Sequence, residues 1–307
     1  MPRLRALACS IMFMGLVAGS AGGALAGPRT KAVEKVEKFQ GELARGLHVP
    51  ARGKQLGKSS RTIKASLGEL PVYLRIPFRG VAHGIRLHTA ALILAHELGH
   101  PDMVPKVAAG TAPTSYEVAR SDKVKVIDAG KPLMVVNSAP EGFQPFDALG
   151  TSSALAAVSQ EMRVTGALMH VLTRQLDGNA GSTLIRPADG ALVLIDHDVT
   201  FGTPHTTKHM GSIFFPNDPK GNLAFDPNKV QSFADLPAPA QALVTKLASM
   251  PIADVASRYG LNAKESAVLV EMATLVKDRG LVGAIGALRA QHAGSYVEKS
   301  AQKKMVW

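Results

Sequence analysis

Cysteine is almost missing from this chain. The single thiol, Cys9, lies near the start, so no disulfide can staple the fold and a buried apolar core has to carry it. Aromatic residues make up only 5% of the sequence, and 24 Asp and Glu face 35 Lys and Arg, for a formal net charge of +11. A basic surface suits phosphates or an anionic surface. With so few aromatics among the cations, no nucleic-acid partner is expected. After residue 26 no apolar run reaches the ~20 residues of a membrane-spanning helix, so no transmembrane segment is expected once the leader is removed.

The leader itself is present. Arg3 and Arg5 precede an apolar run over residues 6–18, and Ala24-Leu25-Ala26 supplies a small-x-small cleavage pattern, so residues 1–26 read as a secretory signal. Export to the periplasm or beyond is expected, with Cys9 lost on cleavage. Charge then falls from +11 to +9, because Arg3 and Arg5 are the only charged residues among the first 26. The remaining residues, about 280, suffice for one large domain or two lobes sharing a cleft. Residues 27–54 form a basic segment, and nine cations between Lys31 and Lys64 face only Glu34, Glu37 and Glu42. Residues 31–64 are therefore either a solvated face or a contact for an anionic surface.

Pattern divides the rest into a strand-rich part, residues 55–138, and a mainly helical part, residues 139–290, followed by a tail at 291–307. Residues 30–47 have the spacing of a short amphipathic helix, and 61–78 read as two strands around Gly68, with Val72, Leu74 and Ile76 alternating. Leu87, Ala91, Leu94 and Leu98 share one face of a helix. Further strands are expected at 107–110 and 116–120, and a paired 123–127 and 133–137 joined at Ala129-Gly130. The Gly, Pro and Ser content of 137–150 marks a hinge. Helices are expected at 153–173, 239–249, 252–259 and 262–279, the last opened by a capping box of Asn262 and Glu265.

His96-Glu97-Leu98-Gly99-His100 matches the HExxH pattern, in which two histidines on one helix face bind zinc and the glutamate activates a bound water. Gly99 and Pro101 stop the helix at the second histidine, and no third ligand stands at the usual spacing. A zinc hydrolase built on His96, Glu97 and His100 stays open as an alternative.

Residues 171–202 concentrate the acids in a different arrangement. A helix end delivers Asp177 into a glycine-bearing loop, a strand at 183–186 turns at Asp189-Gly190, and a second strand returns with Asp196 at its tip. Two carboxylates at neighbouring strand ends suit phosphoryl transfer, where one orients the attacking hydroxyl and another holds the metal.

The order of elements resembles the protein-kinase-like fold, in the atypical branch of type II phosphatidylinositol 4-kinases and related bacterial proteins. Leu98-Gly99, Val104-Pro105, the run 130–136, the catalytic-type loop Asp177 to Leu184, Gly190, Ile195-Asp196-His197-Asp198 and the tail at 233–236 carry the likeness, over roughly residues 55–280. It implies an α+β, two-lobed fold with a strand-rich N-lobe and a mainly helical C-lobe. It also implies ATP and Mg²⁺ as cofactors, Asp177 as catalytic base, and Asp196, Ser182 and Asp198 as metal ligands. Ser182 stands where the family carries asparagine, Arg75 where it carries the strand lysine, and His88 where it carries the helix glutamate; Lys64, on the preceding strand, is a second candidate cation. The readings are an exported kinase-like phosphotransferase acting on an unidentified hydroxyl, and a pseudokinase that keeps the nucleotide cleft as a scaffold.

Overall fold

A computed structural model describes residues 28–43, 46–56, 61–77, 79–120, 123–149, 152–175, 177–178, 180–197, 200–202, 211–219 and 221–292. Residues 1–27, which include the expected signal, Asp198 and the tail beyond 292 lie outside these residues, and Asp177 is described in its backbone alone.

The N-terminal lobe is built on a five-stranded antiparallel sheet. Its strands are β1 (Leu47–His48), β3 (Arg61–Leu67), β4 (Leu70–Ile76), β8 (Pro132–Asn137) and β5 (Val107–Thr111), in the order β1-β3-β4-β8-β5. The β3–β4 hairpin turns through Gly68, whose φ of +60° only glycine adopts freely. Period-two alternation sorts the two faces. Ile63, Val72, Leu74, Leu133, Val135 and Ala108 pack outward onto Phe39, Tyr116, Val118 and Ile127. On the opposite face Val107, Met134 and Val136 pack on Ile85, and Arg75 shares that face by its register with Met134.

Helix α1 (Pro28–Glu42) closes one edge of this sheet. Gln40 accepts from the Ala109 N–H and donates to the Ala109 carbonyl, both at 2.9 Å, satisfying the outer side of edge strand β5. The basic segment is thus integrated into the lobe. A second sheet lies over it in the order β2-β6-β7, formed by β2 (Arg52–Lys54), β6 (Tyr116–Arg120) and β7 (Lys123–Ile127), with β2 parallel to β6. This corrects one sequence expectation: β7 pairs with β6, and β8 pairs with β4 and β5, so 123–127 and 133–137 are not partners. The continuous apolar run of β8, Leu133 to Val136, matches a central strand buried on both faces, a place β7 cannot take with Val124 and Val126 exposed.

Between the lobes runs α2 (Val81–Glu97). It ends in a Schellman motif: Gly99 takes φ +84°, the Gly99 N–H donates to the His96 carbonyl at 3.1 Å, and the His100 N–H donates to the Ala95 carbonyl at 2.9 Å. Leu87, Ala91, Leu94 and Leu98 face the core of the helical lobe, as their spacing predicts.

After β9 (Gln144–Pro145) and a short turn of helix, α3 (Phe146–Leu149), the expected helix at 153–173 is found in two pieces, α4 (Ser152–Ala157) and α5 (Gln160–Leu172). Ser159 separates them as the N-cap of α5, its hydroxyl accepting from the Met162 N–H at 3.1 Å. Strand β11 (Thr183–Arg186) pairs with β12 (Ala191–Leu194) and β9, while β10 (Asp177–Gly178) runs parallel to β13 (Gly211–Ser212). Helices α6 (Ala238–Ser249), α7 (Ile252–Tyr259) and α8 (Ala263–His292) complete the lobe. The capping box at α8 forms as read, with Asn262 and Glu265 exchanging side-chain bonds at 2.9 and 3.0 Å, and Gly280 kinks the helix at φ +66°.

Candidate active site

Arg75 and Asp196, 121 positions apart in sequence, meet at the junction of the lobes. Buried Leu74 fixes the core-facing side of β4, so the next residue, Arg75, points the other way, and its Nη2 donates to Asp196 Oδ1. The arginine side chain is 11% exposed and the aspartate 33%, so the pair is buried on the cation's side and open on the carboxylate's.

Asp196 is held by the backbone around it. The Leu194 N–H donates to the Met103 carbonyl at 2.7 Å, the Ile195 N–H to the Ser182 carbonyl at 2.9 Å, and Gln175 Nε2 to the Asp196 carbonyl at 3.3 Å. Its φ of +73° is a left-handed conformation that non-glycine residues adopt at a cost, a signature found at functional loops. His197 follows, fully buried, with Nε2 against the Leu194 carbonyl at 3.1 Å, and Thr200 Oγ1 donates to the His197 carbonyl at 2.7 Å.

The loop bearing Asp177 runs alongside. Gln175 bonds to Asp196 and the Phe201 N–H donates to the Thr173 carbonyl, so residues 173–175 lie beside Asp196 and Phe201. Behind them His170 and Ser212 form a buried pair, Nδ1 to Oγ 2.8 Å, and the Phe214 N–H donates to that hydroxyl at 3.1 Å. Gly178 passes directly over the His170 ring: a Cβ there would sit 2.4 Å from Nδ1, so the loop follows this path only with glycine at that position. Burial pushes His170 down to about 3 and, with smaller opposing contributions, His197 to about 4; both stay neutral near neutral pH.

His88, at the α2 position where an acid partner for the strand cation is expected, is also buried. Its ring lies edge-on to His197 with centroids 5.1 Å apart, and burial first, then the repulsion its protonated form would meet from a protonated His197 and from Arg75, hold it well below the usual histidine range. A neutral imidazole cannot act as counter-ion to Arg75.

The other candidates fall as follows. Ser182 is buried in a turn one hydrogen bond from Ile195, which places it beside the Asp196 loop. Lys64 is exposed on β3 opposite Tyr73, on the face of the sheet that carries Arg75 and a diagonal step of roughly 7–8 Å away. Among the described residues no three His, Cys, Asp or Glu side chains assemble as a metal cage. Magnesium does not need one: it keeps water and takes one or two carboxylates together with substrate phosphates. The Asp196 carboxylate, one-third exposed, is a hard oxygen donor that fits that pattern, and Ser182, whose backbone bonds to Ile195, carries a second hard oxygen on the adjoining turn.

The HELGH segment does not fit zinc chemistry. Glu97 is closed off: Arg258 Nε donates to it at 2.7 Å, Arg258 Nη2 and the Tyr259 hydroxyl also donate, and Lys246 approaches at 3.3 Å. His100 has left the helix through the Schellman turn, so the two histidines do not share a helix face.

No protein-family model matches the chain, and no curated protein matches it in sequence. Solved structures do resemble it. The proinflammatory kinase CtkA of Helicobacter pylori aligns at 10% identity and a TM-score of 0.40, over 80% of this chain and 95% of that one. The Golgi casein kinase aligns at 9% and 0.42, over 81% and 74%. WaaP in complex with acyl carrier protein aligns at 12% and 0.30, over 76% and 89%. The mixed α+β layout, a sheet lobe followed by a helical lobe, has kinase-like neighbours. At these identities and TM-scores the likeness carries no argument about this chain, and the chemistry of the site stands on its own geometry.

Proposed function

We propose that this chain is an exported kinase-like phosphotransferase that moves a phosphoryl group from ATP to the hydroxyl of a lipid, a protein or a small molecule. The observation that carries the reading is the meeting of a strand cation, Arg75, with a loop carboxylate, Asp196, beside the loop of Asp177. In this reading Arg75 holds a phosphate oxygen of the nucleotide and Asp196 and Ser182 hold Mg²⁺, with Asp198 as a further ligand. Asp177 orients the acceptor hydroxyl and takes its proton as the new P–O bond forms and the bond to ADP breaks. Bound magnesium supplies neutralisation of the phosphate charge.

A second reading, a nucleotide-binding pseudokinase, is favoured by His88, which leaves Arg75 without an acid from α2. A thermal shift with ATP that grows when Mg²⁺ is added, with that added part lost in Asp196→Ala, supports both readings. ATP consumption lost in Asp177→Ala selects the enzyme; binding without consumption selects the scaffold. A chain that gains no stability from any nucleotide, with or without Mg²⁺, refutes both.

A further inference from the structure

In a kinase the strand cation is held by an acid on the helix, which leaves the loop aspartate for the metal. Here His88 takes the helix position and is neutral, so the acid that meets Arg75 is Asp196 itself. The guanidinium is largely buried and carries a charge that must be compensated. The aspartate side chain is one-third exposed, so an anion that takes its place meets the same guanidinium. A planar guanidinium binds phosphate oxygens as readily as carboxylate oxygens.

We infer that Asp196 is an exchangeable stand-in for a phosphate: in the ligand-free chain it neutralises Arg75, and a polyphosphate anion displaces it, releasing the carboxylate for a divalent cation. The inference rests on reading the cleft as a nucleotide site and adds an order to it, anion first and cation second. It also makes Asp196 an obstacle to metal-free anions, because it occupies their cation and repels their charge.

The probes are inorganic tripolyphosphate, ATP with EDTA, Mg-ATP and Mg²⁺ alone, titrated calorimetrically. Asp196→Asn is the informative variant, since asparagine keeps the shape and tolerates the left-handed backbone at this position. It is expected to bind tripolyphosphate and metal-free ATP about tenfold more tightly than the parent chain while losing the gain that Mg²⁺ gives. In the parent chain Mg²⁺ alone is expected not to bind in the millimolar range, and to bind once nucleotide is present. This second measurement needs no variant and keeps the inference testable if Asp196→Asn fails to fold. Equal or weaker anion binding by a folded Asp196→Asn, or tight binding of Mg²⁺ alone to the parent chain, overturns the exchange while Mg-ATP binding leaves the nucleotide reading standing. Tripolyphosphate bound tightly by Asp196→Asn with no ATP bound by either form supports the exchange and removes the nucleotide reading. No anion bound by either form overturns both.

Discussion

Two carboxylates each meet an arginine far away in sequence, and they differ in what else surrounds them. Glu97 is 4% exposed and meets Arg258, Tyr259 and Lys246, so both of its oxygens are engaged inside packed helices. Asp196 meets Arg75, sits on a left-handed backbone and is one-third exposed. Burial with several partners makes an acid a fastener, since releasing it strands a charge out of water. Partial exposure leaves an acid within reach of a ligand. The sequence motif that looks most like an active site thus marks the fastener, and the acid lacking an HExxH-like signature marks the candidate site.

Substitutions at each acid test this contrast. Asp196→Asn should lower Mg-dependent phosphoryl transfer by about 10³-fold, while urea unfolding shows a smaller loss than at Glu97. Glu97→Gln should do the reverse, costing about 3 kcal/mol in urea unfolding with nucleotide affinity of the folded protein unchanged; a loss of affinity with little loss of stability would exchange the two roles.

The buried histidine behind the catalytic-type loop gives the next largest effect. Below pH 6.5 the unfolded chain protonates its histidines while His170 stays neutral until about pH 3. The unfolded state then binds more protons, so His170 lowers stability as pH falls, by about 1.4 kcal/mol per unit. The stability difference between the parent and His170→Asn should therefore change with that slope between pH 6.5 and 5, and a flat difference would show a solvated imidazole. Arg86, whose Nε and Nη2 bind Glu265 at 3.1 and 2.7 Å, offers the mildest test. Arg86→Lys should cost about 1 kcal/mol in thermal unfolding by losing the two-pronged geometry.

Much of this arrangement could be read from local pattern. The β3–β4 hairpin, α2 and its glycine stop, the β11–β12 hairpin and Asp196 just past the end of β12 all follow from periodicity, turn glycines and caps, which act over a few residues. What could not be read depends on contacts between distant segments. The strand at 123–127 looked like a partner for 133–137 because the two are adjacent, yet β8 is taken by β4 and β5, and β7 pairs with β6 in a separate sheet. Glu97 shows its role only once α7 brings Arg258 and Tyr259 to it. The Arg75 contact with Asp196 spans 121 positions, and its meaning depends on His88, a residue whose chemistry is visible in the sequence but whose neighbours are not. The His170–Ser212 brace had one local hint, the glycine at 178 that lets the loop cross the ring.

Helix α2 is tied to the helical lobe along its apolar side and near both ends, through Arg86 to Glu265 and through Glu97 to Arg258. It also meets the sheet, through Ile85 packed on Val107, Met134 and Val136, so it is common to both lobes. Arg75 comes from the sheet and Asp196 from the helical part, so their ion pair is a further tie between the two. In the exchange inferred above, an anion that takes the place of Asp196 therefore loosens the same seam it enters.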